Sequence, residues 1–499
     1  MIHPSALTYT AIINPEEAAS VAMNDIDALI AEIEDSPAGG HIGAFFDFDG
    51  TLIDGYSAVA FFRERLRRRQ VNARQLLDAA VQTINVEARG QDVDRLMELG
   101  VGSLAGTSED DVFAMGARVF EAQVAHMIFP QARLLLAAHR RRDHTIVMAS
   151  SATSFQVAAA AEDLGIDHVL CTQVEVADGL LTGRVDGPIL WGPNKAAAVE
   201  SFAASHGVDL AKSFAYGNGG EDELYLSTVG NPRPLNPDGD LQKVATQRQW
   251  PVVRLQRPVR LTPQSVIRTA AALAAAGTGV AVGVGMGVLN RSRRTALELT
   301  ASVGSDLAFA AAGITMEVVG QENLWRQRPA VFVFNHQSQL DVLILGSLLR
   351  QDFTGVAKKE LQTDPFFAPL GWLADVAYVD RTNTDQAKKA LAPALEALRN
   401  GRSLAMAPEG TRSATPRLGA FKKGAFHLAM QAGVPMVPVV IRNAGELMPA
   451  HVLLLDSGTL QVAVLPPVST KKWTQANLPK QVAKVRDMFL ATMQDWPQD

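Results

Sequence analysis

The stretch Val331-Phe332-Val333-Phe334-Asn335-His336-Gln337-Ser338-Gln339-Leu340-Asp341 decides how the C-terminal half is read. Four consecutive apolar residues, β-branched and aromatic, predict a short buried strand. The strand delivers His336 at its end, and the apolar run Asp341–Leu349 predicts a helix. A strand end and the first turn of the next helix can bring an imidazole and a carboxylate together. A carboxylate accepting from one ring nitrogen fixes the tautomer and leaves the other nitrogen free to take a proton. Such a pair can turn a hydroxyl into a nucleophile. The same spacing also allows a plainer role for Asp341, as a helix cap.

Four further blocks follow in order. They are Gly355-Val356-Ala357-Lys358-Lys359-Glu360-Leu361, Tyr378-Val379-Asp380-Arg381, Ala407-Pro408-Glu409-Gly410-Thr411-Arg412-Ser413 and Val434-Pro435-Met436-Val437-Pro438-Val439. With the His336 block, this set resembles the glycerolipid acyltransferases, the family that includes lysophosphatidate acyltransferase, over residues 313–470. The resemblance implies transfer of a fatty acyl group from acyl-CoA or acyl-carrier protein to lysophosphatidate at a membrane surface, giving phosphatidate. By the same resemblance, His336 with Asp341 forms the base. Glu409, Gly410, Thr411 and Arg412 form the acceptor-binding loop, and Lys358 (or Lys359) and Arg381 add phosphate contacts. The only cysteine, Cys171, lies outside this half, which excludes a cysteine-linked acyl intermediate there. Ser338 leaves a serine-linked one open, and direct attack by the acceptor is the simpler route. The Val-Pro-Met-Val-Pro block reads as strand and wall.

At 499 residues the chain exceeds one hydrophobic core and predicts two or three domains. A hydrophobic content of 47% with 20% charged residues describes a folded protein. The formal charge of −6 argues against general nucleic-acid binding. A single cysteine rules out an intramolecular disulfide framework and fits a reducing compartment. Glu16, Glu17 and Asp25, with no basic-then-apolar pattern, predict no signal peptide and chemistry in the cytosol. Residues 1–40 read as an extension with a helix from Pro15 to about Glu34, ended by Ser36-Pro37-Ala38-Gly39-Gly40.

The N-terminal half has its own decisive stretch, Ile42-Gly43-Ala44-Phe45-Phe46-Asp47-Phe48-Asp49-Gly50-Thr51-Leu52. An apolar strand again ends in charge, here two carboxylates two residues apart, with a glycine permitting a sharp turn. Downstream come His144–Ser151, Gly192-Pro193-Asn194-Lys195, and Ser213–Asp222 with Asn218. Together these resemble the four motifs of the haloacid dehalogenase superfamily. That resemblance implies Asp47 as the nucleophile that becomes an aspartyl-phosphate and Asp49 as the general acid/base. It also implies Ser150 (or Ser151) and Lys195 as phosphate ligands, and a Mg²⁺ ion held by Asp47, Asp49, Asn218 and Asp222. The pattern departs at Asn218, where the family carries a second Asp; an amide removes one charge from a site for a hard cation. Between Asp49 and Thr145 the chain reads mostly helical and resembles the cap of the phosphoserine-phosphatase-like branch, over about residues 56–128. Its run Arg63, Arg65, Arg67, Arg68 and Arg69 would steer a phosphate or simply form a solvated helix face.

Between the halves, Thr269–Leu289 carries no charge. Its length suits a membrane span, but its many glycines, with Gly279, Gly283 and Gly287 four apart, suit close approach of a second helix. With Leu307–Gly313 following, it predicts a helical hairpin dipping into one leaflet, the alternative being a soluble core helix. Arg268, Arg291, Arg293 and Arg294 flank it and give no orientation.

The expectation is therefore two α/β domains joined by an apolar helical segment. A Rossmann-like phosphatase domain occupies 41–257, the segment 258–312 and the acyltransferase domain 313–499. The protein would lie at the cytoplasmic face of the cell membrane as a peripheral or monotopic protein, with a homodimer left open. Competing readings keep the acyltransferase but make the first half a non-catalytic binding or dimerisation module, or a phosphatase for a soluble ester such as phosphoserine.

Overall fold

The computed structural model describes residues 15–68, 93–256, 262–363, 368–374, 376–379, 391–449 and 453–497. It divides into two compact units, Met1–Pro258 and Val259–Asp499.

The first unit is built on a six-stranded sheet. Its strands are β1 (Gly43–Phe46), β2 (Thr145–Thr153), β3 (His168–Ala177), β4 (Leu180–Asp186), β5 (Phe214–Gly217) and β6 (Asn231–Pro234), in the order β4-β3-β2-β1-β5-β6. All neighbours are parallel except the β3–β4 hairpin. Every residue of β1 is buried, which is why it reads as a continuous apolar run rather than an alternation. β1 pairs with β2 on one side and β5 on the other. Its carboxyl end therefore opens at the point where the winding reverses, the place where α/β sheets bind ligands. Asp47 is the next residue.

Between β1 and β2 lie the helices Ser57–Arg67, Val93–Gly102, Glu109–Val119 and Pro130–Arg141. Three residues of the arginine run have partners within this region. Arg67 and Arg68 pair with Glu64, and Arg65 bonds Ser103. Arg69 lies outside the described residues.

The second unit carries a seven-stranded sheet of β7 (Ile314–Val319), β8 (Val331–Phe334), β9 (Phe353–Lys358), β10 (Ala377–Val379), β11 (Ser403–Met406), β12 (Met436–Ile441) and β13 (Gly458–Val464). The order is β10-β9-β11-β8-β12-β13-β7. The five strands from β10 to β12 are mutually parallel, so the residues following each of them gather along one edge. The helix after β8 runs Leu340–Leu349, one residue longer than the sequence suggests. β7 carries no apolar run like that of β8 and has no signal in the sequence.

Two long helices, Pro263–Leu289 and Arg293–Ala312, form the expected hairpin. They meet along Gly279, Gly283 and Gly287, the three glycines at four-residue steps. A Cβ at Gly279 would run into the backbone of Gly304, and one at Gly287 into Ala296. At Gly283 it would meet Thr300 and lie 2.7 Å from the Ala296 carbonyl oxygen. Gly283→Val therefore forces the helices apart and should lower unfolding stability by about 1–3 kcal/mol, read from urea denaturation in detergent; an unchanged midpoint would contradict the packing.

The hairpin's second half packs partly on the domain core. Leu307–Gly313 is the end of the second helix, and Phe309 and Ala312 are buried with Phe332, Ile344 and Val439 in the core. Most of the exposed apolar side chains of the hairpin, from Ile267 to Leu289, lie on the first helix, and Leu307 is exposed on the second. Three of the four flanking arginines also have protein partners. Arg268 pairs with Asp456 (2.8 Å), Arg294 with Glu298 and Asp352, and Arg293 lies 4.2 Å over the Trp372 ring.

Candidate active sites

At the carboxyl end of β8, His336 Nδ1 lies 2.7 Å from Asp341 Oδ2. The same oxygen accepts from the backbone N–H of Gln337 (2.9 Å) and Ser338 (3.0 Å). Asp341 thus both caps the turn and holds the imidazole, and the two readings of its spacing coexist. A carboxylate taking two backbone N–H bonds is an acceptor, so Nδ1 carries the proton and Nε2 is the free base.

The loop after β11 grips His336 from both backbone sides. His336 N donates to Glu409 Oε1 (2.9 Å), and Ser413 N donates to the His336 carbonyl (2.8 Å). Glu409 Oε2 accepts from Gly419 N (2.8 Å). Both oxygens of this buried side chain therefore serve the protein, and burial raises its carboxyl. Glu409 thus braces the loop against His336 and Gly419, contacts its spacing gave no hint of. Arg412 and Thr411 are exposed on the same loop, and Lys358 is exposed at the end of β9 on the same sheet edge. Arg381 lies outside the described residues. The Ser338 hydroxyl is buried and donates to the Met448 carbonyl (2.6 Å), which leaves it poorly placed to carry an acyl group.

In the first unit, Lys195 stands between two carboxylates. Its Nζ lies 2.6 Å from Asp47 Oδ1 and 2.8 Å from Asp222 Oδ1, with all three side chains buried. Burial alone would push the ammonium down, but Asp222 and Asp47 outweigh it and hold Lys195 protonated. Burial raises Asp47 to about 6, against the pull of Lys195. Asp49, also raised by burial, to about 7, takes Ser57 N (2.7 Å) and Ser57 Oγ (3.0 Å). A carboxyl that keeps its proton near neutrality suits a general acid. Asp222 Oδ2 accepts from Asn218 N (3.1 Å), so both its oxygens have protein donors. Ser150 is buried in β2, where the register with β3 shifts, and its hydroxyl accepts from Ala152 N (3.1 Å).

Several site residues went unread in the sequence. Thr51, inside the quoted motif, points its hydroxyl at Asp47 Oδ2 (3.2 Å) and Asn218 Oδ1 (3.0 Å). Gly50, read in the sequence for its turn and found at φ +80°, also leaves room for the Asn218 amide where a Cβ would sit. The Tyr225 ring lies 4.8 Å from Lys195 Nζ, and its hydroxyl donates to the Phe45 carbonyl (2.7 Å). Ser57 had no signal beyond following the motif.

Comparison with known proteins matches the haloacid dehalogenase-like hydrolase family to residues 44–223 and the acyltransferase family to residues 315–442. A probable phosphatase of Mycobacterium tuberculosis is 32% identical over 234 residues, covering 46% of this chain and 81% of its own length. The chain belongs to the haloacid dehalogenase-like hydrolases and carries an acyltransferase domain as well. The 1-acyl-sn-glycerol-3-phosphate acyltransferase of Saccharomyces cerevisiae is 39% identical over 189 residues, 37% of this chain. The chain spans only 61% of that relative's length. The crystal structure of the acyltransferase PlsC from Thermotoga maritima is 22% identical, with a TM-score of 0.41, covering 47% of this chain and 98% of that one.

The hydrolase domain's fit to a divalent cation follows from its donors. Among the described residues, no three His, Cys, Asp or Glu side chains gather as a metal site. Asp49 and Asp222 have their oxygens engaged by Ser57, Lys195 and backbone N–H groups. Asp47 Oδ2 and Asn218 Oδ1 instead converge on one hydroxyl. Mg²⁺ accepts sites of one or two protein oxygens completed by water and substrate phosphate, so this pair fits, with a single negative charge. Asn218→Asp should therefore lower the Mg²⁺ dissociation constant about tenfold, since one added unit of attraction is of order 1.4 kcal/mol. Calorimetric titration of Mg²⁺ checks this, and equal affinities would remove Asn218 from the site.

Proposed function

We propose that the acyltransferase domain converts lysophosphatidate to phosphatidate, and that the hydrolase domain cleaves a phosphomonoester. The observation that carries the first part is the His336–Asp341 pair clamped on both backbone sides by the Glu409–Ser413 loop. His336 Nε2 takes the proton of the acceptor hydroxyl as its oxygen attacks the carbonyl carbon of the acyl thioester. Collapse breaks the carbon–sulfur bond, and the proton passes from His336 to the departing thiolate. Arg412 and Lys358 hold the acceptor's phosphate, with Arg381 as the third cation. Acyl-CoA and acyl-carrier protein both satisfy this chemistry.

In the hydrolase domain, Asp47 attacks phosphorus while Asp49 protonates the leaving alkoxide; Asp49 then takes a proton from the water that hydrolyses the aspartyl-phosphate. Lys195 and Ser150 neutralise and hold the phosphoryl oxygens. A Mg²⁺ ion at Asp47 and Asn218 would supply charge neutralisation for the phosphate. The test is a wild-type assay with radiolabelled lysophosphatidate and acyl-CoA, following phosphatidate and diacylglycerol, beside a panel of soluble esters including phosphoserine. Absence of phosphatidate with acyl-CoA, and with acyl-carrier protein in a parallel assay, would refute the first half of the reading.

The acceptor is an amphiphile, so its site must open toward a bilayer surface. What supports membrane association is the first hairpin helix, which is long and apolar enough to cross a bilayer. A soluble core helix would bury such residues, yet Ile267, Val288 and Leu289 are 69%, 72% and 77% exposed. Arg291, exposed in the hairpin turn, would contribute about 1 kcal/mol at an anionic surface. A hairpin returns the chain to the side it left, so both domains should face the cytosol. Cysteines replacing Gly100 and Lys472, in a Cys171→Ser background, should be labelled from the same side of sealed vesicles. Labelling from opposite sides would show a full crossing, and recovery in the soluble fraction without salt or detergent would show no membrane association.

A further inference from the structure

Beyond the Glu409–Ser413 loop, the chain returns over it as a strap whose lysine the mechanism above does not use. Gly419 N bonds Glu409, and Lys422 N donates to the Pro408 carbonyl (2.8 Å). This lays the Lys422 side chain along Gly410. A Cβ at Gly410 would lie 2.9 Å from Lys422 Nζ, 3.0 Å from Cδ and 3.2 Å from Cε. Gly410 also has φ +76°, so backbone conformation and lysine together require glycine there.

Among the described residues no carboxylate lies within ion-pair distance of the Lys422 ammonium. Glu409, the carboxylate of the same loop, has both oxygens on backbone N–H groups. The backbone N–H groups of Thr411 and Arg412 likewise have no acceptor among the described residues. An ammonium, a guanidinium and two open N–H groups thus gather at one short loop that is bonded directly to the backbone of His336. Such a collection matches an anion with several acceptor oxygens.

We propose that Lys422 is an acceptor-binding residue whose ammonium takes the phosphomonoester of the acyl acceptor beside Gly410. This rests on the acyltransferase reading above and adds to it the residue that selects a doubly charged headgroup. Lysine suits the role as a compact charge able to follow a rotating phosphate, while Arg412 supplies the planar fork.

The test uses the full chain in mixed micelles with acyl-CoA. Lys422→Met should raise the KM for lysophosphatidate about 10- to 100-fold, the range for a lost charged hydrogen bond, with kcat within about twofold. Competitive inhibition by inorganic phosphate should weaken by the same factor, and Lys422→Arg should recover most of both. Lys423→Met, on the neighbouring exposed lysine, should leave both unchanged. An unaltered KM in Lys422→Met, or a fall in kcat with KM and phosphate inhibition intact, would overturn the assignment while leaving the acyltransferase reading standing. A wild type that does not acylate lysophosphatidate would overturn both.

Discussion

Replacing His336 by alanine should lower acyl transfer by about 10²- to 10⁴-fold, the contribution of a positioned general base, with phosphomonoester hydrolysis unchanged. The specificity of the loss follows from what remains. Asp341 Oδ2 keeps its bonds from Gln337 N and Ser338 N, so the carboxylate is not stranded when the imidazole goes. Glu409 bonds the backbone N–H of residue 336, and Ser413 N its carbonyl, so the loop stays docked as well. The alanine variant should therefore unfold at nearly the wild-type temperature while losing its base. Asp341→Asn is the informative contrast. It replaces the charged acceptor with a neutral amide oxygen, which holds the tautomer and the two backbone N–H groups more weakly, so activity and stability should fall together. Near wild-type acyl transfer by His336→Ala would remove the histidine from the mechanism.

Both sites were legible in outline for one physical reason. Each lies at the end of a buried strand, where a local apolar run and the polar residues after it are read in one stretch. Phe45-Phe46-Asp47 and Phe332–His336 are of that kind, and the hairpin glycines were legible because four-residue steps define a helix face. What escaped reading depends on contacts between distant segments. Nothing near Glu409 says that its oxygens will meet His336 and Gly419, nor that Lys422 will lie on Gly410. Asp222 reads as a metal ligand by its motif, yet Lys195, from a separate helix, takes one of its oxygens. β7 was lost because Ile314–Val319 follows the helix-ending Gly313 (φ +67°) and is only partly buried beside β13. In the Leu307–Gly313 segment apolarity does not say whether lipid or core covers each residue; here Phe309 and Ala312 face the core while Leu307 stays exposed.

Asp47→Asn should abolish hydrolysis, by about 10⁴-fold or more as for other enzymes deprived of the nucleophile, without lowering stability. The second half of that expectation is the unusual one. Asp47 and Asp222 share a single buried ammonium, and burial raises Asp47 to about 6. A carboxyl whose folded pKa lies above its unfolded value binds more protons in the folded state. Its ionisation therefore costs stability as pH rises through that interval, and the cost is complete above the folded pKa. An asparagine amide can still accept from Lys195 through its oxygen, and it leaves the ammonium to Asp222 without competing charge. In EDTA at pH 7.5, Asp47→Asn should melt at or above the wild-type temperature. The gap should narrow as pH falls below about 6, where Asp47 takes up its proton. A variant crippled in hydrolysis yet no less stable identifies a carboxylate kept for chemistry rather than for the fold. Full phosphate release by Asp47→Asn would instead displace the nucleophile from this residue. A wild type that releases none from any phosphomonoester, with acyl transfer intact, would recast the first domain as a binding module.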